Sequence, residues 1–224
     1  MTNQNLLWSD AKKEPASGLL YRRSSQTEMP RGRLILLHGV GGNESNLASI
    51  TPYLSPDLEF LVLRGPLQLG AGSYAWFQVN FTSDGPSINV DQAEESRRLL
   101  LAFIDAQPPL PTLIAGFSQG GIMSASVGLS APNKVRGFGL LSGRILPELR
   151  DRIAPKEELA SLSAFIAHGR HDPKLPHFWA DQAVELLKDL GVTHKAQSYE
   201  MGHEMTHPEI TDFSNWVNET LALV

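Results

Sequence analysis

The chain has 224 residues, 42% of them apolar and 19% charged, and a formal net charge of −5. That length suits one well-buried core, and the acidic balance argues against nucleic acid or an anionic membrane as the main partner. The absence of cysteine excludes disulfides, thiolate metal sites and a cysteine nucleophile together.

Met1 to Lys13 offers only Leu6-Leu7-Trp8 as an apolar cluster, too short for the apolar stretch of a secretory leader. The longest apolar runs fall far short of the ~20 residues a membrane span needs, so a cytoplasmic protein without stable membrane insertion is expected. Residues 17–24, 33–38 and 59–64 read as strands, with a helical segment at 45–54. Gly65 to Asn89 is an excursion rich in glycine and polar residues that holds Tyr74, Trp76, Phe77 and Phe81. A helix follows at 91–106, with Asp91 as its N-cap and Leu99, Leu100, Phe103 and Ile104 as its buried stripe. Strands at 111–116, 135–141, 163–168 and 193–200 then alternate with helices at 118–130, 176–190 and 208–221. A second, charged excursion spans 144–161. Such alternation predicts one α/β domain over residues 1–224, a mainly parallel sheet with helices on both faces. Neither excursion is long enough for a large cap, so an open, shallow cleft is expected.

Gly116-Phe117-Ser118-Gln119-Gly120 lies directly after the apolar strand Pro111–Ala115 and directly before Gly121-Ile122-Met123, at the start of the helix 118–130. Gly-x-Ser-x-Gly at a strand–turn–helix junction is the setting in which a serine hydroxyl is presented above a sheet as a nucleophile. An acid and a histidine must follow, each at a strand end. Asp172 lies just past the strand 163–168, and His203 just past 193–200. His203 would take the Ser118 proton, and Asp172 would hold the imidazole tautomer. The N–H of Gln119, directly after the nucleophile, would supply one oxyanion donor. The second would come from His38-Gly39-Val40-Gly41-Gly42, where small residues allow close backbone approach and the Val40 N–H is the best candidate.

Leu37-His38-Gly39, Gly116-Phe117-Ser118-Gln119-Gly120-Gly121, His168-Gly169 with Asp172, and Gly202-His203 resemble the phospholipase/carboxylesterase family of small α/β-hydrolases. The resemblance runs from about residue 15 to the end. It implies the α/β-hydrolase fold, a Ser118–Asp172–His203 triad, oxyanion donors at Val40 and Gln119, and no cofactor. Acyl-protein thioesterases of that family usually carry an Asp shortly after the His-Gly element, where this chain reads Gly41-Gly42-Asn43-Glu44. That pattern is closer to a bacterial "predicted esterase" branch.

His203-Glu204-Met205-Thr206-His207 matches the zinc-protease pattern, but that chemistry needs both histidines on one continuous helix, and Pro208 pushes His207 out of helical geometry. No metal is therefore expected. His38 reads as support for the Gly-rich loop, and His168 and His171 as polar neighbours of Asp172. Asp181 and Asp151 compete for the acid role, but one falls inside a helix and the other in the charged excursion. Trp76, Phe77 and Leu175 are expected to line a short apolar groove. The sequence thus predicts a monomeric or homodimeric serine esterase acting on small esters, acetyl to hexanoyl ahead of palmitoyl. Two rivals stay open. One is an acyl-protein thioesterase or lysophospholipase-type activity, and the other a binding protein on a hydrolase scaffold.

Overall fold

A computed structural model describes residues 7–82 and 85–223, with backbone alone at 81, 82, 85 and 86. Leu6 and the Phe81 side chain, singled out above, lie outside the described residues. Eight strands form one sheet: β1 (Lys12–Lys13), β2 (Leu20–Ser25), β3 (Gly32–Leu37), β4 (Leu58–Leu63), β9 (Thr112–Phe117), β10 (Gly137–Leu141), β11 (Ser163–Gly169) and β12 (Thr193–Tyr199). They lie in the order β1-β2-β4-β3-β9-β10-β11-β12. From β4 to β12 every pairing is parallel, while β2 joins β4 antiparallel and β1 joins β2 antiparallel.

All six residues of β3 and all six of β4 are buried, as strands covered on both faces require. Their period-two alternation divides the core. Ile35, Leu37, Leu61 and Leu63 face α1 (Val90–Asp105), α2 (Gln119–Ser130) and α4 (Phe178–Leu190) through Leu100, Phe103, Ile122, Val127 and Leu187. Leu34, Leu36, Phe60 and Val62 face α5 (His207–Thr220) through Ile210, Phe213 and Trp216. Residues facing opposite ways along one strand thus join different helical layers.

The seven strands and five helical segments read from the sequence are all present, with shifted ends. Three local readings change. The segment 45–54 is a 3₁₀ helix at Asn46–Tyr53 with Pro52 inside it, and Pro52 offers no N–H for an α-helical bond. Helix α1 is capped by Asn89, whose side chain accepts the Gln92 N–H, so Asp91 falls in the first turn instead. Within 65–89 the chain folds as two hairpins, β5 (Leu67–Gly70) with β6 (Ser73–Ala75) and β7 (Val79–Thr82) with β8 (Gly85–Ile88). Residues 144–161 hold only a 3₁₀ turn at Pro147–Arg152 and the short α3 (Lys156–Leu159), so among the described residues no large cap covers the carboxyl ends of the strands.

Candidate active site

Ser118 is the single residue between β9 and α2, with φ 55° and ψ −117°. A side chain in that left-handed region is strained, and the strain is held by hydrogen bonds on both sides. The Ser118 N–H donates to the Leu141 carbonyl at 2.8 Å, and the Ile122 N–H donates to the Ser118 carbonyl at 3.0 Å. The flanking glycines are dictated by crowding. A Cβ on Gly120 would lie 2.0 Å from the Leu37 carbonyl oxygen, and one on Gly116 would lie 2.3 Å from the Gly120 carbonyl carbon.

His203 Nε2 lies 2.9 Å from Ser118 Oγ, and its Nδ1 lies 2.6 Å from Asp172 Oδ2. With the carboxylate accepting the Nδ1 proton, Nε2 is left to accept the serine O–H. The other carboxylate oxygen, Oδ1, accepts the N–H groups of Lys174 and Leu175, each at 2.9 Å. Burial opposes ionisation of Asp172. The hydrogen bonds from His203, Leu175 and Lys174 outweigh it and hold the carboxyl below its usual range. The Phe117 ring packs 4.8 Å from the His203 ring.

His168 is buried behind this pair. Its Nε2 donates to the Leu175 carbonyl at 2.7 Å, bracing the loop that carries Asp172, and desolvation lowers its pKa, which favours the neutral ring. His171 instead pairs with Glu200 at the surface, at 2.9 Å. Asp181 pairs with His177 and is exposed, and Asp151 is exposed in the 3₁₀ turn. The structure brings neither rival acid to His203.

The Gly-rich loop reaches Ser118. A Cβ on Gly39 would lie 3.3 Å from Ser118 Cβ. The loop is pinned to β6 by a two-way exchange, Gly41 N–H to the Tyr74 carbonyl at 2.8 Å and Tyr74 N–H to the Gly42 carbonyl at 2.9 Å. Among the described residues, neither the Val40 N–H nor the Gln119 N–H donates to another protein group. His38 is buried, with Nδ1 against the Gly39 carbonyl at 2.6 Å and Nε2 accepting the Gly65 N–H at 2.9 Å. Glu44 is buried and takes both ends of Arg64 at 2.6 Å, a tie between this loop and the end of β4 that the sequence reading missed.

Trp76 and Phe77 require correction. They are 0% and 1% exposed and belong to the core, so neither presents a face to an open cleft. Ser96 of α1 donates to the Trp76 carbonyl, and Trp76 satisfies its polar atoms internally. Leu175 remains partly exposed beside Asp172. Helix α5 begins at His207, whose ring packs 5.3 Å from Tyr53, while His203 lies on the preceding loop. The two histidines of the zinc-like pattern therefore point to different partners. A groove of about 690 Å³, lined in part by Lys195, Gln197, Asp212 and Asn215, opens between β12 and α5 and shares no residue with the Ser118–His203–Asp172 chain.

A buried serine on a strained strand–helix turn, a mainly parallel sheet and the absence of a large cap define an α/β-hydrolase. Residues 24–221 match the family model described as phospholipase/carboxylesterase, and the chain belongs to that family, whose members are hydrolases. It is 28% identical over 224 residues to acyl-protein thioesterase 1 of Mycosarcoma maydis, covering 86% of this chain and 92% of that protein. It is 26% identical over 211 residues to carboxylesterase SOBER1 of Arabidopsis thaliana, covering 86% of this chain and 92% of that protein. In fold it is similar to the Bacillus cereus carboxylesterase, with a TM-score of 0.78 at 21% identity, over 90% of this chain and 94% of that one.

Proposed function

We propose that the whole chain acts as one domain that hydrolyses carboxylic esters through an acyl-enzyme on Ser118, without a cofactor. Ser118 Oγ attacks the ester carbonyl as His203 takes its proton, and the carbonyl oxygen becomes an oxyanion between the Val40 and Gln119 N–H groups. The C–O bond to the alcohol breaks, and His203 returns the proton to the departing oxygen. Water, deprotonated by the same imidazole, then attacks the acyl carbon, releasing the acid and restoring the Ser118 hydroxyl. Asp172 keeps Nδ1 protonated and stabilises the imidazolium.

The observation that carries this reading is the unbroken chain from Ser118 Oγ through both ring nitrogens of His203 to Asp172, at 2.9 and 2.6 Å. Ser118→Ala is expected to lower turnover of a short-chain ester by roughly four to six orders of magnitude with an unchanged fold, since such residues act as a unit. Retention of more than about a hundredth of wild-type turnover, or failure of a fluorophosphonate to label the wild-type protein, overturns it. A shallow rim that includes Leu175 favours acetyl to hexanoyl groups over palmitoyl. The relation to an acyl-protein thioesterase favours a second reading, removal of long acyl groups from thioesters. Matched oxo- and thioesters across chain lengths decide between them: a kcat/KM that climbs steadily to sixteen-carbon thioesters selects the second. A protein of this kind would reside in the cytoplasm as a monomer or homodimer.

A further inference from the structure

Two separate pieces of backbone must be held at a fixed spacing if Val40 and Gln119 are to share one oxyanion. The first is the loop after β3, and the second is the first residue of α2. They come from distant parts of the chain, and no hydrogen bond between Val40 and Gln119 links them directly. We infer that Trp76 is a positioning residue that joins these two pieces and sets the distance between the two N–H donors. The inference rests on the esterase reading above.

Three bonds carry it. The indole Nε1–H of Trp76 donates to the His38 carbonyl at 2.9 Å. Its backbone N–H donates to Gln119 Oε1 at 2.8 Å. Gln119 Nε2 in turn donates to the Phe77 carbonyl at 2.7 Å, so the amide grips the 76–77 backbone from two sides. Ser96 on α1 donates its hydroxyl to the Trp76 carbonyl, which anchors the arrangement to the body of the fold. His38 O belongs to the peptide just before the one that carries the Val40 N–H. Gln119 contributes its own N–H. Trp76 is thus hydrogen-bonded to both oxyanion segments at once.

The surroundings leave no slack. Trp76 is 0% exposed and Gln119 is 3% exposed, so water does not stand in for either partner. A Cβ on Gly65 would lie 2.5 Å from the Ala75 carbonyl oxygen, so the neighbouring chain closes tightly over the segment. A buried polar network with its members paired is rigid, and losing one donor leaves the opposite carbonyl buried and unpaired. Oxyanion donors work over a narrow range of ~2.7–3.1 Å, so a small displacement of either segment is felt in the transition state more than in substrate binding.

The test is to replace Trp76 by β-(3-benzothienyl)alanine, which keeps the ring shape and removes only the indole N–H, and in parallel to make Trp76→Phe. Short-chain ester kinetics and inhibition by an alkyl trifluoromethyl ketone, whose adduct places an oxyanion between the two donors, are then measured. The expected result is a kcat lower by roughly tenfold to a hundredfold with KM within about twofold. The ketone should weaken by the same factor as kcat/KM, and the pH profile of kcat should be unmoved, because His203 and Asp172 are untouched. A folded benzothienyl variant with wild-type kcat and wild-type ketone affinity overturns the inference, as does a raised KM at constant kcat. Should Trp76→Phe fail to fold, the benzothienyl variant decides alone. A wild-type protein that neither hydrolyses esters nor binds the ketone refutes the esterase reading instead.

Discussion

Gly120 has no room for a methyl group, and the obstacle is backbone. Its added Cβ would stand 2.0 Å from the Leu37 carbonyl oxygen, which is fixed in the central sheet and cannot swing aside as a side-chain tip would. Gly120→Ala is therefore expected to cost more than about 3 kcal/mol or to abolish folding. Gly70→Ala, where nothing lies within 4 Å, should change stability by less than about 1 kcal/mol. Denaturant midpoints of the two variants check the pair, and equal midpoints would contradict the crowding argument. At this scale the residues that form the hydrogen-bonded chain were legible because Ser118, Asp172 and His203 each follow a strand, and the sheet delivers strand ends to one edge. Trp76 was not. Its glycine-rich, polar neighbours suggest a rim, and nothing local reveals that the excursion folds back over the core. The demand of a buried indole N–H for an acceptor was the available hint.

Helix α5 opens directly after the His203 loop with a carboxyl in an uncommon state. Glu209 is fully buried and, among the described residues, accepts only the Thr206 N–H and leaves Oε1 unpartnered. Burial pushes its pKa up to about 8 from an ordinary 4.5, with the Thr206 hydrogen bond opposing. The folded state then holds a proton that the unfolded chain releases at lower pH. Stability is expected to be fullest below about 4.5 as far as this group is concerned, and to fall as pH rises towards about 8. Glu209→Gln keeps an acceptor for Thr206 and removes the titration. It is expected to flatten that decline and to be more stable than wild type above pH 8, by an amount on the order of a few kcal/mol. Urea melts of both proteins across that range test it, and parallel curves would count against it. Strand and helix positions were readable because their apolar periods are clear. The N-cap of α1 slipped from Asp91 to Asn89 because both are good caps, and the choice depends on where the preceding hairpin releases the chain.

Across the whole molecule, two helical layers clamp the sheet and its carboxyl edge is left without a large cap. With no such lid to lift, an ester hydrolase of this shape is expected to follow a smooth hyperbola as a short-chain ester passes its solubility limit. A jump in rate at the onset of substrate aggregation would reveal a closing segment. The same architecture fixes the strained turn at Ser118, φ 55° and ψ −117°, between a strand and a helix whose residues are almost all buried. Only glycine is at ease there, and the strain on any other residue is of order 1–3 kcal/mol. Ser118→Gly is accordingly expected to melt higher than Ser118→Ala and than wild type, by about 1 kcal/mol once the greater freedom of glycine in the unfolded chain is deducted. Selection for persistence alone would therefore remove this hydroxyl early. A relative carrying glycine at this turn would gain durability and give up the hydroxyl on which the proposed reaction depends.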